Sequence, residues 1–220
     1  MVLTRLRTSG IWAAIVFWIA LFAFGAWYPG YSHATRAISE LGAFGAPHAL
    51  AWNLVGFIAP GLLLAACGTG IALAVDGTSR ILPSLLVLSG LGFAGTGAIP
   101  AEMANGTPVM DSRWTAGHLI MTVVSALPWV IGAWVLAVRV VRRDGWSDPA
   151  LVAGVMAMVA TCGLSLNVFS GAIPYFAVAP GLAQRTAFAA YFAWFGIVSW
   201  VFLAPNVIAH RVAAGTASPP

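Results

Sequence analysis

The chain has 220 residues, of which 60% are hydrophobic and only 7% are charged. A soluble domain carries about 25% charged residues, so this composition excludes a water-soluble globular enzyme, a disordered chain and a nucleic-acid-binding protein. The formal net charge of +4 comes from ten arginines and no lysine, which are scattered along the chain. We therefore interpret the charge as a signal of membrane topology and predict an all-α, multi-pass protein of the cell membrane.

Six apolar segments are long enough to cross a bilayer, which takes about 20 mostly apolar residues per helix. The first segment ends in Trp27 and Tyr28 and has no small-residue cleavage site before Tyr28, so we predict a retained helix with an interfacial anchor rather than a signal peptide. We predict a single domain over residues 1–220, with a flexible tail at 213–220. The predicted spans run at about 11–28, 49–75, 81–100, 114–138, 151–174 and 186–209.

The arginines predict the orientation of these spans. If the N-terminus is cytoplasmic, seven arginines lie on the inner side and three lie on the outer side. The outer three are Arg36, Arg113 and Arg185. Because inner loops carry the excess of arginine, we predict that both termini are cytoplasmic.

Glycines are frequent within the second and third spans. The glycines inside these apolar runs match no nucleotide-binding pattern, and they are Gly68, Gly70, Gly90, Gly92, Gly95 and Gly97. Because small residues let helix backbones approach closely, we predict that these glycines mark seams between helices.

Four ionisable residues lie at or just inside the ends of apolar runs on the predicted outer side: Glu40, Glu102, His118 and Arg185. Ionisable groups at membrane depth usually face the bundle interior and pair with one another. We therefore predict that these four line a pocket that opens outward. The alternative is structural, because Arg36 and Glu40 have the spacing of a surface ion pair on a short helix. We expect His33 and His48 to be solvated loop residues.

A second set of residues is predicted to form the walls of this pocket. Aromatic side chains near the outer ends of the helices are suited to an apolar substrate, and two asparagines lie inside spans. For the asparagines the alternative is a hydrogen bond between helices, and for Trp114 it is a place in the interfacial belt. The predicted substrate-binding residues are Asn53, Trp114, Asn167, Tyr175, Phe176, Tyr191 and Trp194.

The sequence resembles a family of small six-helix bacterial and archaeal membrane proteins catalogued as domain of unknown function 998. The resemblance covers about residues 31–200 and implies the six-helix fold and the polar cluster, but no activity. In that family the acid of the third helix is commonly Asp after Phe-Pro, and Glu102 here follows Ile-Pro-Ala instead. The residues that carry the resemblance are Ile38-Ser39-Glu40-Leu41-Gly42, Asn53, Pro60-Gly61, Pro100-Ala101-Glu102, His118 and Gln184-Arg185.

Several kinds of chemistry lack their sequence patterns. The chain has no His-Glu-x-x-His, no cysteine pair at metal spacing, no Gly-x-Ser-x-Gly and no aspartate-rich segment for magnesium and diphosphate. We therefore expect no metal and no cofactor. What remains is a carboxylic acid in an apolar, aromatic cavity, where burial favours the protonated form that a general acid needs.

These features favour an enzyme that protonates an isoprenoid or other lipidic substrate. Glu40 or Glu102 would donate the proton, His118 would recharge the acid, and Arg185 would orient the second carboxylate. Aromatic walls stabilise a carbocation. The design is similar in size, class and chemistry to small membrane-bound terpene cyclases. The alternatives are a small proton-coupled transporter and a lipid-binding or non-catalytic membrane subunit. The expected partners are the lipid bilayer and a hydrophobic small molecule.

Overall fold

The structure is a computed structural model, and it describes residues 2–75, 80–104 and 107–202. A π-helical segment, Asn53–Ile58, joins α2 to α3 as one continuous rod, and 3-10 turns cover Ile38–Gly42 and Ser170–Ala172. The two short strands β1 (Met103–Ala104) and β2 (Thr107–Pro108) pair in antiparallel fashion. The α-helices are α1 (Val2–Trp27), α2 (Ala49–Trp52), α3 (Ala59–Val75), α4 (Ile81–Ala98), α5 (Arg113–Asp144), α6 (Asp148–Phe169), α7 (Pro174–Val178) and α8 (Pro180–Phe202).

Six helices among the described residues are long and apolar enough to cross a membrane, which confirms the predicted fold class. An apolar run must fold as a helix there, because hydrocarbon offers no partner for free backbone N–H and C=O groups. The last span begins at Pro180 rather than near Thr186, because proline suits the first turn of a helix. Residues 203–209 of that predicted span, and the predicted tail at 213–220, lie outside the described residues. The spans are 8–27, 49–71, 81–98, 113–144, 148–172 and 180–202.

The six helices form a closed ring in chain order. α1 packs against α3, α3 against α4, α4 against α5, α5 against α6, α6 against α8, and α8 against α1. Aromatic side chains fill the centre, where Phe93 of α4 lies 5.9 Å from Phe17, 5.6 Å from Phe192 and 5.7 Å from Phe188, measured between ring centroids. The core of the bundle is therefore aromatic and lies between α1, α4 and α8.

Glycines bring α3 and α4 into direct backbone contact. A Cβ added at Gly61 would lie 2.7 Å from the carbonyl oxygen of Gly90, and a Cβ added at Gly90 would lie 2.7 Å from that of Gly61. Gly68 fits in the same way against Leu86. Of the glycines predicted to mark seams, Gly68 and Gly90 lie at this contact, whereas Gly92 packs against Ser125 of α5. The reason is steric, because real Cβ atoms do not approach backbone atoms so closely.

Three connections meet at one end of the bundle, and Glu40, Glu102 and His33 belong to them. The backbone N–H of Phe44 donates to the carbonyl of Ala101 at 3.1 Å, and that of Leu182 donates to the carbonyl of Ala34 at 3.1 Å. These bonds attach the first loop, residues 28–48, to the segment after α4 and to the start of α8. The first loop therefore lies across the end of the bundle.

Candidate functional site

A cleft lies between α4, α5, α6 and α8, under the first loop. Its volume is about 80 Å³, and its aromatic walls are Phe57, Phe93, Trp129 and Phe188. His118 and Trp129 both line it from α5, so at 1.5 Å per residue it extends about 16 Å along that helix. Its polar lining residues are Ser39, Thr96, His118, Thr122, Ser125, Asn167, Gln184 and Tyr191.

The tautomer of His118 follows from its hydrogen bonds. Its Nδ1 lies 2.9 Å from the carbonyl oxygen of Ile99 and 3.0 Å from that of Thr96. Both partners are acceptors only, so Nδ1 carries the hydrogen of the neutral ring. Nε2 then has a free lone pair, and no side chain or backbone group among the described residues bonds to it. The cleft is thus lined by a buried histidine whose second ring nitrogen is an unoccupied acceptor.

A hydroxyl network forms the deeper part of the cleft. The hydroxyl of Tyr191 lies 2.8 Å from Oγ of Ser89, and Oγ of Ser125 donates to the Tyr191 hydroxyl at 3.2 Å. These three residues come from α8, α4 and α5 and are all buried. Hydroxyls buried in hydrocarbon need such partners, so this network holds three walls of the cleft together.

Gln184 connects the cleft to the first loop. The backbone N–H of Ile38 donates to Oε1 of Gln184 at 2.6 Å. Because the side-chain oxygen is the acceptor, the side-chain NH₂ group is left to donate. Ser39, the neighbour of Ile38, lines the cleft beside Gln184. The 3-10 turn Ile38–Gly42 is therefore fixed to α8 where it borders the cleft.

Arg185 anchors the first loop rather than lining the cleft. Its Nη2 donates to the hydroxyl of Tyr31 at 2.6 Å, and its Nη1 donates to the carbonyls of Arg36 at 3.0 Å and Gly181 at 2.8 Å. Its Nε donates to Nδ1 of His33 at 3.3 Å. Arg185 is only 8% exposed, so the guanidinium is a buried tie between α8 and the loop.

Two titratable loop residues are shifted by this arrangement. Burial raises the pKa of Tyr31 to about 12, against the opposing effect of the Arg185 cation. Burial, together with the same cation, lowers the pKa of His33 below its ordinary value of 6.5. Near neutral pH, therefore, Arg185 contacts the protonated phenol of Tyr31 and the neutral imidazole of His33. His33 is only partly exposed, in contrast to the expected solvated residue.

The two glutamates lie outside the lining of the cleft. Glu40 is buried, and one carboxylate oxygen accepts from Nη1 of Arg36 at 2.7 Å. Its other oxygen, Oε2, is buried without a partner among the described residues. The side chain of Glu102 is exposed, while its backbone N–H and C=O both bond to the hydroxyl of Thr115. The four predicted catalytic residues thus divide, and only His118 borders the cleft.

Of the predicted substrate-binding residues, Asn167 and Tyr191 line the cleft. Asn53 bonds instead to the carbonyl of Gly42 at 2.9 Å, which is a contact with the first loop. Trp114 packs edge-on against Phe44, with the ring centroids 5.3 Å apart. The others are absent from the lining: Tyr175 is 65% exposed on α7 beside Phe176, and Trp194 is fully buried in the core.

Sequence reasoning missed several lining residues, among them Thr96, Thr122, Ser125 and Phe188. One signal was available: His118, Thr122 and Ser125 repeat at spacings of four and three, which places them on one face of a helix. A single serine or threonine inside an apolar span is too common to indicate a site by itself.

Metal ligands do not cluster in the described part of the chain, where no group of three or more His, Cys, Asp or Glu side chains forms a candidate metal site. The residues present suit hydrogen bonding and proton transfer at one imidazole.

Comparison with known proteins gives one match. The family model described as "Protein of unknown function (DUF998)" matches residues 11–201. No curated protein and no solved structure matches the chain. Since the match covers most of the sequence, the chain belongs to the DUF998 family.

Proposed function

We propose that this DUF998 protein binds an isoprenoid or other lipidic molecule in its cleft and performs acid–base chemistry on it, with His118 moving the proton. The observation that carries the proposal is the free Nε2 of His118 at a cleft walled by aromatic rings. A general base must lie within hydrogen-bond reach of the proton that it takes. Among the described lining residues, His118 is the one whose ordinary pKa lies near neutral pH.

The acid-initiated version of this chemistry needs a different donor from the one expected. Protonation of an alkene requires an acid beside the reacting carbon, and neither Glu40 nor Glu102 is among the lining residues. His118 would serve instead as a carrier of the substrate's own proton: Nε2 takes the hydrogen of a substrate hydroxyl and delivers it to the alkene carbon, and the hydroxyl oxygen then bonds to the carbocation, so that no proton is gained or lost overall. The walls support the isoprenoid substrate, because the rings of Phe93, Trp129 and Phe188 offer faces that attract a carbocation.

A lipid-binding protein without turnover is the second candidate, and the size of the cleft favours it. Pockets for drug-sized ligands measure about 300–1,000 Å³, whereas this cleft measures about 80 Å³. As it stands, it admits a head group or the end of a chain. The rest of such a molecule would extend into the bilayer.

The test is a comparison of lipid products in membranes that contain the protein. Bacterial membranes with wild-type protein or His118→Asn would be incubated with prenylated phenols and isoprenoid alcohols, and the extracts analysed by liquid chromatography and mass spectrometry. Asparagine can keep the donor at the Nδ1 position but has no counterpart of Nε2. We expect a product of unchanged mass and shifted retention from the wild type, at least about 100-fold reduced in His118→Asn.

The controls separate the alternatives. Thr186→Val removes an exposed hydroxyl of α8 that bonds only to its own helix, and it should leave turnover unchanged. Glu40→Gln and Glu102→Gln test the carboxylates directly. Full turnover in His118→Asn would contradict the proposal, and loss of turnover in a glutamate variant alone would return the acid role to that residue. Lipid that copurifies without any product would favour the binding protein.

A further inference from the structure

We infer that the ligand of the cleft is an uncharged lipid with a hydroxyl group, and that this hydroxyl donates its hydrogen to Nε2 of His118. The inference rests on the proposed function, since it takes the cleft to be a lipid site. It adds the chemical class of the head group, which follows from the charge and the hydrogen-bonding capacity of the lining.

The first argument is charge. Among the described residues that border the cleft, none carries a carboxylate or a guanidinium. Glu40 and Arg185 are sequence neighbours of the lining residues Ser39 and Gln184. Glu40 pairs with Arg36, however, and Arg185 bonds to the first loop. A buried charge without a partner is very unfavourable. The cleft therefore disfavours phosphate, diphosphate, carboxylate and ammonium head groups.

The second argument is that most hydroxyl hydrogens in the lining are already used. Thr96 donates to the carbonyl of Phe93 at 2.6 Å, Thr122 donates to that of His118 at 3.0 Å, and Ser125 donates to Tyr191 at 3.2 Å. Each of these oxygens keeps a lone pair but has no hydrogen to offer. With Nε2 of His118, they make the cleft rich in acceptors. The cleft therefore favours a ligand that has a hydrogen-bond donor over a ligand that has only acceptors.

The third argument distinguishes a hydroxyl from other donors. A lipid amine is an ammonium ion at neutral pH and is disfavoured by the uncharged lining. A hydroxyl donates one hydrogen and also accepts, and the NH₂ groups of Gln184 and Asn167 are the donors left on the same cleft. An alcohol and a phenol both meet this pattern. Ketones, esters and ethers of the same length lack the hydrogen that Nε2 requires.

The experiment is a photolabelling competition with the full-length protein in phosphatidylcholine nanodiscs. The probe is an isoprenoid alcohol that carries a diazirine and an alkyne, and labelled sites are mapped by mass spectrometry of peptides containing Leu164 or Trp129. The competitors are geranylgeraniol, its methyl ether, geranylgeranyl phosphate and a geranylated phenol. The ether and the phosphate keep the chain and change only the head group. Comparison of geranylgeraniol with the geranylated phenol shows whether an alcohol hydroxyl or a phenol hydroxyl is preferred.

We expect the alcohol or the phenol to displace the probe at a concentration about tenfold lower than the methyl ether, since one hydrogen bond is lost. The phosphate should not compete. The matched variants are Thr122→Val, which removes a lining hydroxyl, and Thr186→Val, which removes an exposed one with the same bond to a carbonyl four residues back. Since the single hydroxyl hydrogen of the ligand goes to Nε2 of His118, neither Thr122→Val nor Thr186→Val should change the preference for alcohol over ether.

His118 is tested with two amides. His118→Asn should abolish the preference for alcohol over ether, whereas His118→Gln places an acceptor near the position of Nε2 and should retain part of it. Equal displacement by alcohol and ether, or displacement by the phosphate, would overturn this inference and leave the proposed function standing. Labelling of the cleft that no competitor displaces would overturn both.

Discussion

The Nδ1 atom of His118 lies 2.9 Å from the carbonyl oxygen of Ile99, the C-cap residue that follows α4. The last carbonyls of a helix have no partner within that helix. The imidazole of α5 supplies one, and it bonds to the carbonyl of Thr96 as well. A single side chain therefore closes the end of α4 and also lines the cleft.

This relationship predicts that His118→Phe is less stable than His118→Asn. Phenylalanine keeps an aromatic ring near Phe57 but leaves the carbonyls of Thr96 and Ile99 without their donor. Buried polar groups that lose a partner cost about 1–3 kcal/mol each. The difference is measured by unfolding both variants with sodium dodecyl sulfate in mixed micelles. Equal stability would show that water replaces the imidazole.

Gly61→Ala is expected to destabilise the bundle. The added methyl group would lie 2.7 Å from the carbonyl oxygen of Gly90, and overpacking of this kind costs about 1–3 kcal/mol. Gly154→Ala is the matched control, because no atom lies within 4 Å of a Cβ added at Gly154 of α6. The control should be neutral or stabilising, since alanine favours a helix by up to about 1 kcal/mol over glycine. The midpoint of thermal unfolding in detergent distinguishes the two, and equal midpoints would be evidence against the tight crossing.

Arg185→Lys should release the first loop. A lysine ammonium has no planar fork with which to reach Tyr31, His33 and the carbonyl of Arg36 together. We expect amide hydrogen exchange over residues 31–42 to become about tenfold faster, while exchange in α3 and α4 stays the same. Arg113→Lys is the control, because the guanidinium of Arg113 lies over the ring of Trp114, 5.6 Å from its centroid. Unchanged exchange in Arg185→Lys would mean that the turn Ile38–Gly42 is held without the guanidinium.

The pKa of His33 predicts a loss of stability in acid. Its folded-state pKa is lowered by burial and by Arg185, so below pH 6.5 the unfolded chain binds more protons at this position than the folded chain does. Its stabilising contribution is therefore present above that pH and decreases as the pH falls through it. His33→Asn offers Arg185 an acceptor that does not titrate. Between pH 7.5 and 5.5, the thermal midpoint of the wild type should fall further than that of His33→Asn. Parallel curves would contradict the assignment.

The orientation of the bundle is tested with single cysteines. The arginine distribution predicts that the first loop faces outward and that the connection between α5 and α6 faces the cytoplasm. In a variant without Cys67 and Cys162, Thr35→Cys should react with a membrane-impermeant maleimide in intact cells. Trp146→Cys, at a position 87% exposed, should react only after permeabilisation. The reverse pattern would invert the topology.

The fold could be predicted from the sequence because long apolar runs in a bilayer have one outcome, a helix that satisfies its own backbone. The site could be predicted only in part. An ionisable residue inside a span is rare, so His118 can be recognised as a candidate site residue from the sequence alone. Glu40 and Arg185 were identified on the same ground, but the structure places them in contacts between the first loop and its neighbours. The sequence pattern indicates that a charged side chain is buried. It does not indicate which neighbouring segment that side chain contacts.

Side-chain direction accounts for the remaining difference. Ser39 and Glu40 are neighbours in a 3-10 turn, as Gln184 and Arg185 are in α8. In each pair the polar residue borders the cleft and the charged one faces the loop. A rotation of about 100° per helical residue separates such neighbours. The sequence therefore identifies the correct segment in both cases. The residue that lines the cleft is the neighbour of the one that was predicted.

The backbone contact between Gly61 and Gly90 has a consequence for the movement of the bundle. α3 and α4 have no side-chain layer between them at this crossing, so neither can tilt without separating from the other, and the pair acts as a fixed frame. α6 differs, since added Cβ atoms at Gly154 and at Gly171, just beyond its end, would meet open space. For an occupant larger than the resting cleft, we therefore expect α6 to move and the α3–α4 pair to stay in place. The contact that such a movement would change is the one at Gly163, where an added Cβ would lie 2.8 Å from Cβ of Ala190 in α8.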